Sequence, residues 1–383
     1  MLRRIFPILA IAFVAVSGSI GALSANTHCA PKCEPVCKPK PCCNPPAKCC
    51  WNFNPCNPKG CADMNCGGFY GTADFLYWRA ENHGFSYGYE LTTALAADVA
   101  SPADDQNVGK VVRVKPDWDP GFRVGLGWNT KHDFWDLFLN YTWYANHTKN
   151  TNTSTTGFMN VWAPITPEGR FGTIKGNVHF VMNMGDLEVG RMTYLTKTVA
   201  IRPYWGVRGG SINQSFRSHL SELLITGAES GTPLEIHFNG KNKYWGVGPR
   251  AGVDGQMDVC YGFSVLGKLA GALLYGKTRA NSTSSHILST ADPASANLTT
   301  QSNFTDNFDQ LVPNLQLSLG LQWQTCFWCE KLFYKMSASW EGNYWWNQFN
   351  LPVGQITAIP PIPTVGNQPL TMEGLTLNFE LDF

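Results

Sequence analysis

FWDLFLNYTWY, Phe134 to Tyr144, puts Trp135, Leu137, Leu139, Tyr141 and Trp143 on one parity and Asp136, Asn140 and Thr142 on the other. An extended chain through it has one apolar face and one polar face. Soluble β-sandwiches and membrane barrels both use such strands, and length separates them. A sandwich strand lasts about 5 or 6 residues, whereas a strand crossing a bilayer needs ~9 to 11. Trp135 and Trp143 are eight residues apart. At ~3.4 Å per residue and a tilt near 40° that places them ~21 Å apart along the membrane normal, close to the ~25 Å between aromatic girdles.

The pattern recurs along the chain. DPGFRVGLGWN alternates Phe122, Val124, Leu126 and Trp128 with Arg123, Gly125, Gly127 and Asn129, and LVPNLQLSLGLQWQ alternates Leu311, Pro313, Leu315, Leu317, Leu319, Leu321 and Trp323 with Asn314, Gln316, Ser318, Gln322 and Gln324. Strands are expected near 68–80, 119–129, 133–146, 178–195, 198–214, 242–257, 260–277, 307–325, 330–345 and 372–383. Short links fall at 130–132, 196–197, 258–259 and 326–329, and long polar links at 81–118, 147–177, 215–241, 278–306 and 346–371. Short and long links alternate throughout, as periplasmic turns and extracellular loops do in outer-membrane barrels. The expected fold class is all-β: a transmembrane antiparallel outer-membrane β-barrel of about ten strands, within a range of roughly 8 to 16. It occupies residues 67–383. The competing reading is a soluble β-sandwich with long loops.

Composition agrees. The 29 basic and 28 acidic residues nearly cancel, which excludes nucleic acid as a partner. Gly (37), Trp (14), Tyr (13) and Phe (22) are abundant and only 15% of residues are charged. After the N-terminus no run approaches a transmembrane helix. At that terminus Arg3 and Arg4 precede an apolar run from Ile5 to about Val16 and small residues up to Ala25, the pattern of a secretory signal peptide over 1–25.

Residues 26–66 form a Cys/Pro-rich leader holding Cys29, Cys33, Cys37, Cys42, Cys43, Cys49, Cys50, Cys56, Cys61 and Cys66. Its prolines forbid helix and it has no apolar core, so a disordered periplasmic segment is expected. Disulfides suit an oxidising compartment, with a thiolate metal cluster as the alternative. Cys260, Cys326 and Cys329 fall at two of the short turns. Thirteen cysteines is an odd number, so at least one thiol is free or bonded to another molecule. Expected partners are outer-membrane lipid, the barrel-assembly machinery, and disulfide-linked envelope proteins or further copies of the chain as a homo-oligomer.

The closing GLTLNFELDF alternates Leu375, Leu377, Phe379, Leu381 and Phe383 with polar residues. It resembles the C-terminal assembly signal of Gram-negative outer-membrane proteins, with Phe383 as its last residue. GFYGTADFLYWRAENHGFSY (Gly68 to Tyr87) and RPYWGVRGG (Arg202 to Gly210) are similar to the Legionella major outer membrane protein family, which has relatives in the chlamydiae. The resemblance implies an abundant porin in the outer membrane of a Gram-negative bacterium, cross-linked by disulfides.

Inward parity assigns Arg123, Arg202, Arg208, Arg250, Lys268 and Lys335 to the lumen, with Asp136, Glu188, Asp254, Glu341 and Glu380 against them. Mixed signs imply internal ion pairs or a weakly selective channel. About ten strands enclose a narrow interior, so barrel width and the porin resemblance pull apart. Neither G-x-S-x-G nor H-E-x-x-H occurs, and His147, His219 and His286 are read as loop histidines. No catalytic, cofactor or metal residue is assigned. The expected function is passive diffusion of small hydrophilic solutes, the alternative a structural or adhesive surface protein with a closed barrel.

Overall fold

A computed structural model describes residues 68–82, 85–91, 109–130, 133–160, 171–196, 198–223, 233–259, 261–288, 298–327, 332–351 and 368–382. The expected signal peptide, the leader and Phe383 lie outside these residues. The strands are β1 (Phe69–Asn82), β2 (Ser86–Leu91), β3 (Gly109–Arg113), β4 (Asp119–Asn129), β5 (Trp135–Asn160), β6 (Phe171–Arg191), β7 (Thr193–Tyr194), β8 (Val199–Leu223), β9 (Pro233–Asp258), β10 (Phe263–Leu288), β11 (Leu298–Phe327), β12 (Leu332–Phe349) and β13 (Gln368–Asp382).

Ten of them close a ring in the order β1, β4, β5, β6, β8, β9, β10, β11, β12, β13, with β13 returning to β1. The closing pair is antiparallel and runs from Tyr70 opposite Asp382 to Asn82 opposite Leu370. Closure leaves no sheet edge unpaired, the condition for strands to stand in lipid. β2 and β3 form a small hairpin on the far end of β5, and β7 is a two-residue ribbon on β8.

At the short-turn end, Asp133 and Phe134 have φ of 52° and 60°, and Tyr261 and Gly262 have φ of 57° and 79°. Two successive left-handed residues at each of these turns match the right-handed twist of the strands they join, which close through Thr130 N–H to the Trp135 carbonyl and Val259 N–H to the Phe263 carbonyl. Just inside that end, a Cβ on Gly127 would lie 1.9 Å from the Tyr70 ring, so only glycine lets the ring cross β4 there. Tyr70 then stacks on Phe138 at 5.6 Å.

The outward side of the lower barrel is apolar and exposed, including Leu139, Trp205, Leu319 and Leu321. Phe69, Trp128, Trp135, Phe263 and Trp323 border this belt at the short-turn end, and Tyr77, Trp143, Trp245, Tyr275 and Trp340 border it at the other.

The long links were expected to begin at the upper border, and here the structure differs. Three of them, 147–177, 215–241 and 278–306, are largely strand, because the chain turns only after Asn160, Leu223 and Leu288, while 346–371 begins in β12 and ends in β13. NTNTSTTG, 150–157, lies within β5. The fifth, 81–118, contains β2 and β3. Alternation persists above the belt with its phase reversed. Ile174, Val178, Phe180 and Met182 are buried inward while Lys175, Asn177 and His179 face out; Ile236, Phe238 and Tyr244 are buried inward while Lys241 and Lys243 are exposed. Outside the bilayer the outer wall meets water, so apolar side chains lower their free energy by turning into the barrel. These segments read as loops because their outward positions are polar.

Candidate functional site: a charged interior beneath an apolar plug

Within the belt the outward parity serves lipid, which leaves the inward parity for polar side chains. Arg123 of β4 lies between Asp74 of β1 (3.2 Å) and Glu341 of β12 (2.9 Å). Gln316 of β11 donates to Glu341 at 2.6 Å and accepts from Arg250 of β9 at 2.9 Å. Arg250 pairs with Glu188 of β6 at 3.0 Å. Glu188 also meets Arg202 of β8 at 3.5 Å, which binds Asp136 of β5 and reaches Asp254 at 3.1 Å. Arg208 donates twice to Asp186, at 2.6 and 2.7 Å, and again to Asn314 and Gln316. One hydrogen-bonded network thus crosses the barrel from β1 to β5. Lys335 forms a separate cluster with Glu380 and Asp382 at the short-turn rim.

Below the network a cavity of about 230 Å³ is lined by Tyr70, Asp136, Arg202, Lys268, Lys335 and Glu380, among others. Lys268 is exposed and has no carboxylate within ion-pair distance among the described residues. Above the network the interior is filled. Leu76, Trp78, Tyr144, Phe180, Met182, Tyr244, Leu274 and Trp345 belong to a cluster whose members are at most 8% exposed. Trp78 donates Nε1–H to Thr376, and the Tyr144 hydroxyl donates to the Trp78 carbonyl, so the aromatic layer is fixed by hydrogen bonds as well as contact. A second cluster, with Phe85, Tyr87, Phe158, Phe171, Phe216, Phe238 and Phe349, packs the upper wall.

A charged interior beneath a lipid-facing belt is the organisation expected of an outer-membrane barrel. Residues 65–383 match the family described as the Legionella pneumophila major outer membrane protein precursor. The chain belongs to that family. It is an outer-membrane protein, and its short turns take the periplasmic side. No curated protein matches the chain. Among solved structures, the outer membrane protease OmpT of Escherichia coli is similar with 8% identity and a TM-score of 0.34, covering 82% of this chain and 96% of that one. The CymD monoaromatic hydrocarbon channel gives 8% identity, a TM-score of 0.27 and coverage of 82% and 88%. Their activities remain statements about those proteins.

Against this family frame, the structure places Arg123, Arg202, Arg208, Arg250, Lys268, Lys335, Asp136, Glu188, Asp254, Glu341 and Glu380 inside the barrel and joins all but Lys268 in ion pairs. Sequence reading missed Asp74, Asp186 and Asp382, although each shares the parity of an inward residue two positions away. Cys29, Cys33, Cys37, Cys42, Cys43, Cys49, Cys50, Cys56, Cys61, Cys66, Cys260 and Cys329 lie outside the described residues. Cys326 is described only as a backbone position of β11, opposite Phe333.

His147, His219 and His286 stand on strands, not loops. His147 faces out from β5, opposite His179. His286 is buried in β10 beside Ser284. His219 of β8 sits opposite His237 of β9 with the rings stacked at 4.1 Å, and both Nε2 atoms lie 3.3 Å from Glu235 Oε2. Among the described residues these three offer metal-ligand atoms within 4.8 Å of one another. Lys175 lies opposite His219 on β6, and Arg217 is two residues away on β8, so the local charge opposes a cation. Burial first, and then the neighbouring His237, hold the His219 pKa below the usual histidine value.

Proposed function

We propose that this barrel is a narrow, weakly selective porin for small hydrophilic solutes, closed for most of the time by its own aromatic plug. The supporting observation is the charged cavity under the plug, with Lys268 exposed in it opposite Asp254 of β9 and with Asp136 and Glu380 also in its lining. A wall carrying both signs selects weakly between anions and cations. Conduction requires Trp78, Tyr144 and Trp345 to leave the axis. The test is planar-bilayer recording on refolded full-length protein and on a Trp78→Ala/Trp345→Ala variant. Brief, rare steps from the parent and longer or more frequent ones from the variant support the reading. Wide, permanent openings in the parent would overturn the plug.

A second reading is a structural or adhesive barrel that never conducts. It is favoured by a plug built from strand side chains, which no single loop movement can withdraw. Silence from both parent and variant, each shown to be folded by its heat-modifiable electrophoretic mobility, would select it. In either case we propose that the leader ties the barrel to its neighbours through disulfides, on the strength of its ten cysteines within residues 26–66 and the odd total. Thiol-blocked envelopes should then show high-mass species on non-reducing electrophoresis that collapse on reduction and disappear when 29–66 are deleted. Identical migration with and without reductant would refute the tie.

A further inference from the structure

The reversed phase of the upper wall leaves a basic outer surface. Lys149 of β5, Lys175 of β6, Arg217 of β8, Lys241 and Lys243 of β9 and Arg279 of β10 all face outward and are exposed. None has a carboxylate within ion-pair distance among the described residues. The carboxylates described on this face are Glu235, held between His219 and His237, and Glu222 at the rim, which accepts from Thr173. Six exposed cations thus stand on the outer side of these five strands, in a chain whose net charge is only +1.

Height above the membrane indicates what this surface meets. Counted from the girdle aromatic on the same strand, Lys243 and Lys241 are two and four residues above Trp245, Arg279 is four above Tyr275, and Lys149 is six above Trp143. At ~3.4 Å per residue and a tilt near 40°, these cations stand ~5 to ~16 Å above the hydrocarbon edge. A phospholipid headgroup layer is only ~5 to 8 Å deep, so it would leave the upper cations facing bulk water. A lipid carrying a phosphorylated oligosaccharide spans the whole range. Arginine and lysine are suited to its phosphates as fork and point-charge donors respectively.

We propose that the outer face of β5, β6, β8, β9 and β10 above the girdle docks the phosphorylated saccharide headgroup of an outer-leaflet glycolipid of the lipopolysaccharide class. The surface is preformed, since the cations project from hydrogen-bonded strands that are packed on their inner side by Phe216, Phe238 and Ile174.

The test uses full-length protein refolded in neutral detergent and titrated with purified lipopolysaccharide bearing a phosphorylated core. The comparison arms are the same glycolipid after dephosphorylation, phosphatidylglycerol, and inorganic phosphate. A Lys149→Gln/Lys175→Gln/Arg217→Gln/Lys241→Gln variant is compared with the parent. An Arg191→Gln variant, removing an exposed cation at the short-turn end of β6 and so away from this wall, is the control. A cation close to an anionic lipid surface contributes roughly a fivefold factor in affinity, so the quadruple variant should bind roughly several hundredfold more weakly, with a shallower salt dependence. The control should match the parent. Heat-modifiable mobility reports that each variant folds, and a misfolded quadruple variant would be replaced by the Lys149→Gln/Lys241→Gln pair, with a loss on the order of tenfold. Equal binding by folded parent and variant would overturn the proposal. So would equal binding of the dephosphorylated glycolipid or of phosphatidylglycerol, or saturation by inorganic phosphate alone.

Discussion

Replacing Asp186 by Asn should strongly destabilise the barrel, whereas replacing it together with Arg208 should not. Arg208 and Asp186 are 5% and 3% exposed and share two hydrogen bonds, at 2.6 and 2.7 Å. With Asn at 186, the guanidinium keeps only the neutral acceptors Asn314 and Gln316, and an amide N–H is turned toward its donors. Breaking one side of a buried pair costs about 3 to 5 kcal/mol. In Asp186→Leu/Arg208→Met both charges leave together. Gln316 retains its bond from Arg250, and Asn314 loses one donor but still donates to the Tyr344 carbonyl. One orphaned amide oxygen costs about 1 to 3 kcal/mol, so the double variant should be more stable than Asp186→Asn by about 2 kcal/mol. The assay is urea unfolding in lipid vesicles followed by tryptophan fluorescence, on the parent, both single variants and the double. If Asp186→Asn lies within about 1 kcal/mol of the parent, or the double falls as far as the single, the buried charge network does not hold the barrel.

Three other outcomes follow from the same geometry. Leu317→Arg, outward near mid-belt opposite Leu269, should cost about 2 to 4 kcal/mol in vesicle unfolding, whereas Ser215→Arg, outward on the upper wall, should be near neutral; equal costs would contradict the assigned membrane edge. His219 and His286 have pKa values below the usual one, both through burial, so the folded state resists their protonation. Their contribution is complete above the ordinary histidine pKa of about 6.5 and is lost as pH falls below it. The protection factors of amides in β8 to β10, taken against the intrinsic exchange rate at each pH, should fall on acidification, and a His219→Gln/His286→Gln variant should lose that response. Gly127→Val should displace Tyr70 and destabilise the barrel by at least about 1 kcal/mol, readable by the same urea assay.

The lower barrel was legible because two pressures reinforce each other there. Lipid demands that Leu137, Leu139 and Leu319 share one parity, and the lumen demands that Asp136, Asn140 and Ser318 share the other. The short turns followed from the breaks between such runs, and ring closure from the same strand count. The upper wall was missed because GTIKGNVHFVMN and SINQSFRSHL contain polar residues on the parity expected to be apolar. The signal was a change of phase at constant period, visible in the inward row Ile212, Phe216 and Leu220. Which lumen carboxylate meets which arginine was not legible. Those partners sit on strands distant in sequence, as Arg123 and Glu341 do, and register alone fixes the pairing. The plug is also a cross-barrel property, in which Trp78, Tyr144 and Trp345 meet from three strands.

The reversal of phase fixes how deep the protein sits. A barrel that is apolar outside along its whole height can ride up or down as bilayer thickness changes. This one cannot do so cheaply, because Trp245 gives way to Lys243 within two residues, Tyr275 to Lys277, and Trp143 to His147 after a single alanine. Sinking by one residue pair brings several cations toward hydrocarbon at once, and rising by one pair lifts a ring of aromatic side chains into water. Where lipid and belt disagree in thickness, the bilayer therefore has to deform around the protein. Many such barrels together would impose one hydrophobic thickness on the membrane that holds them.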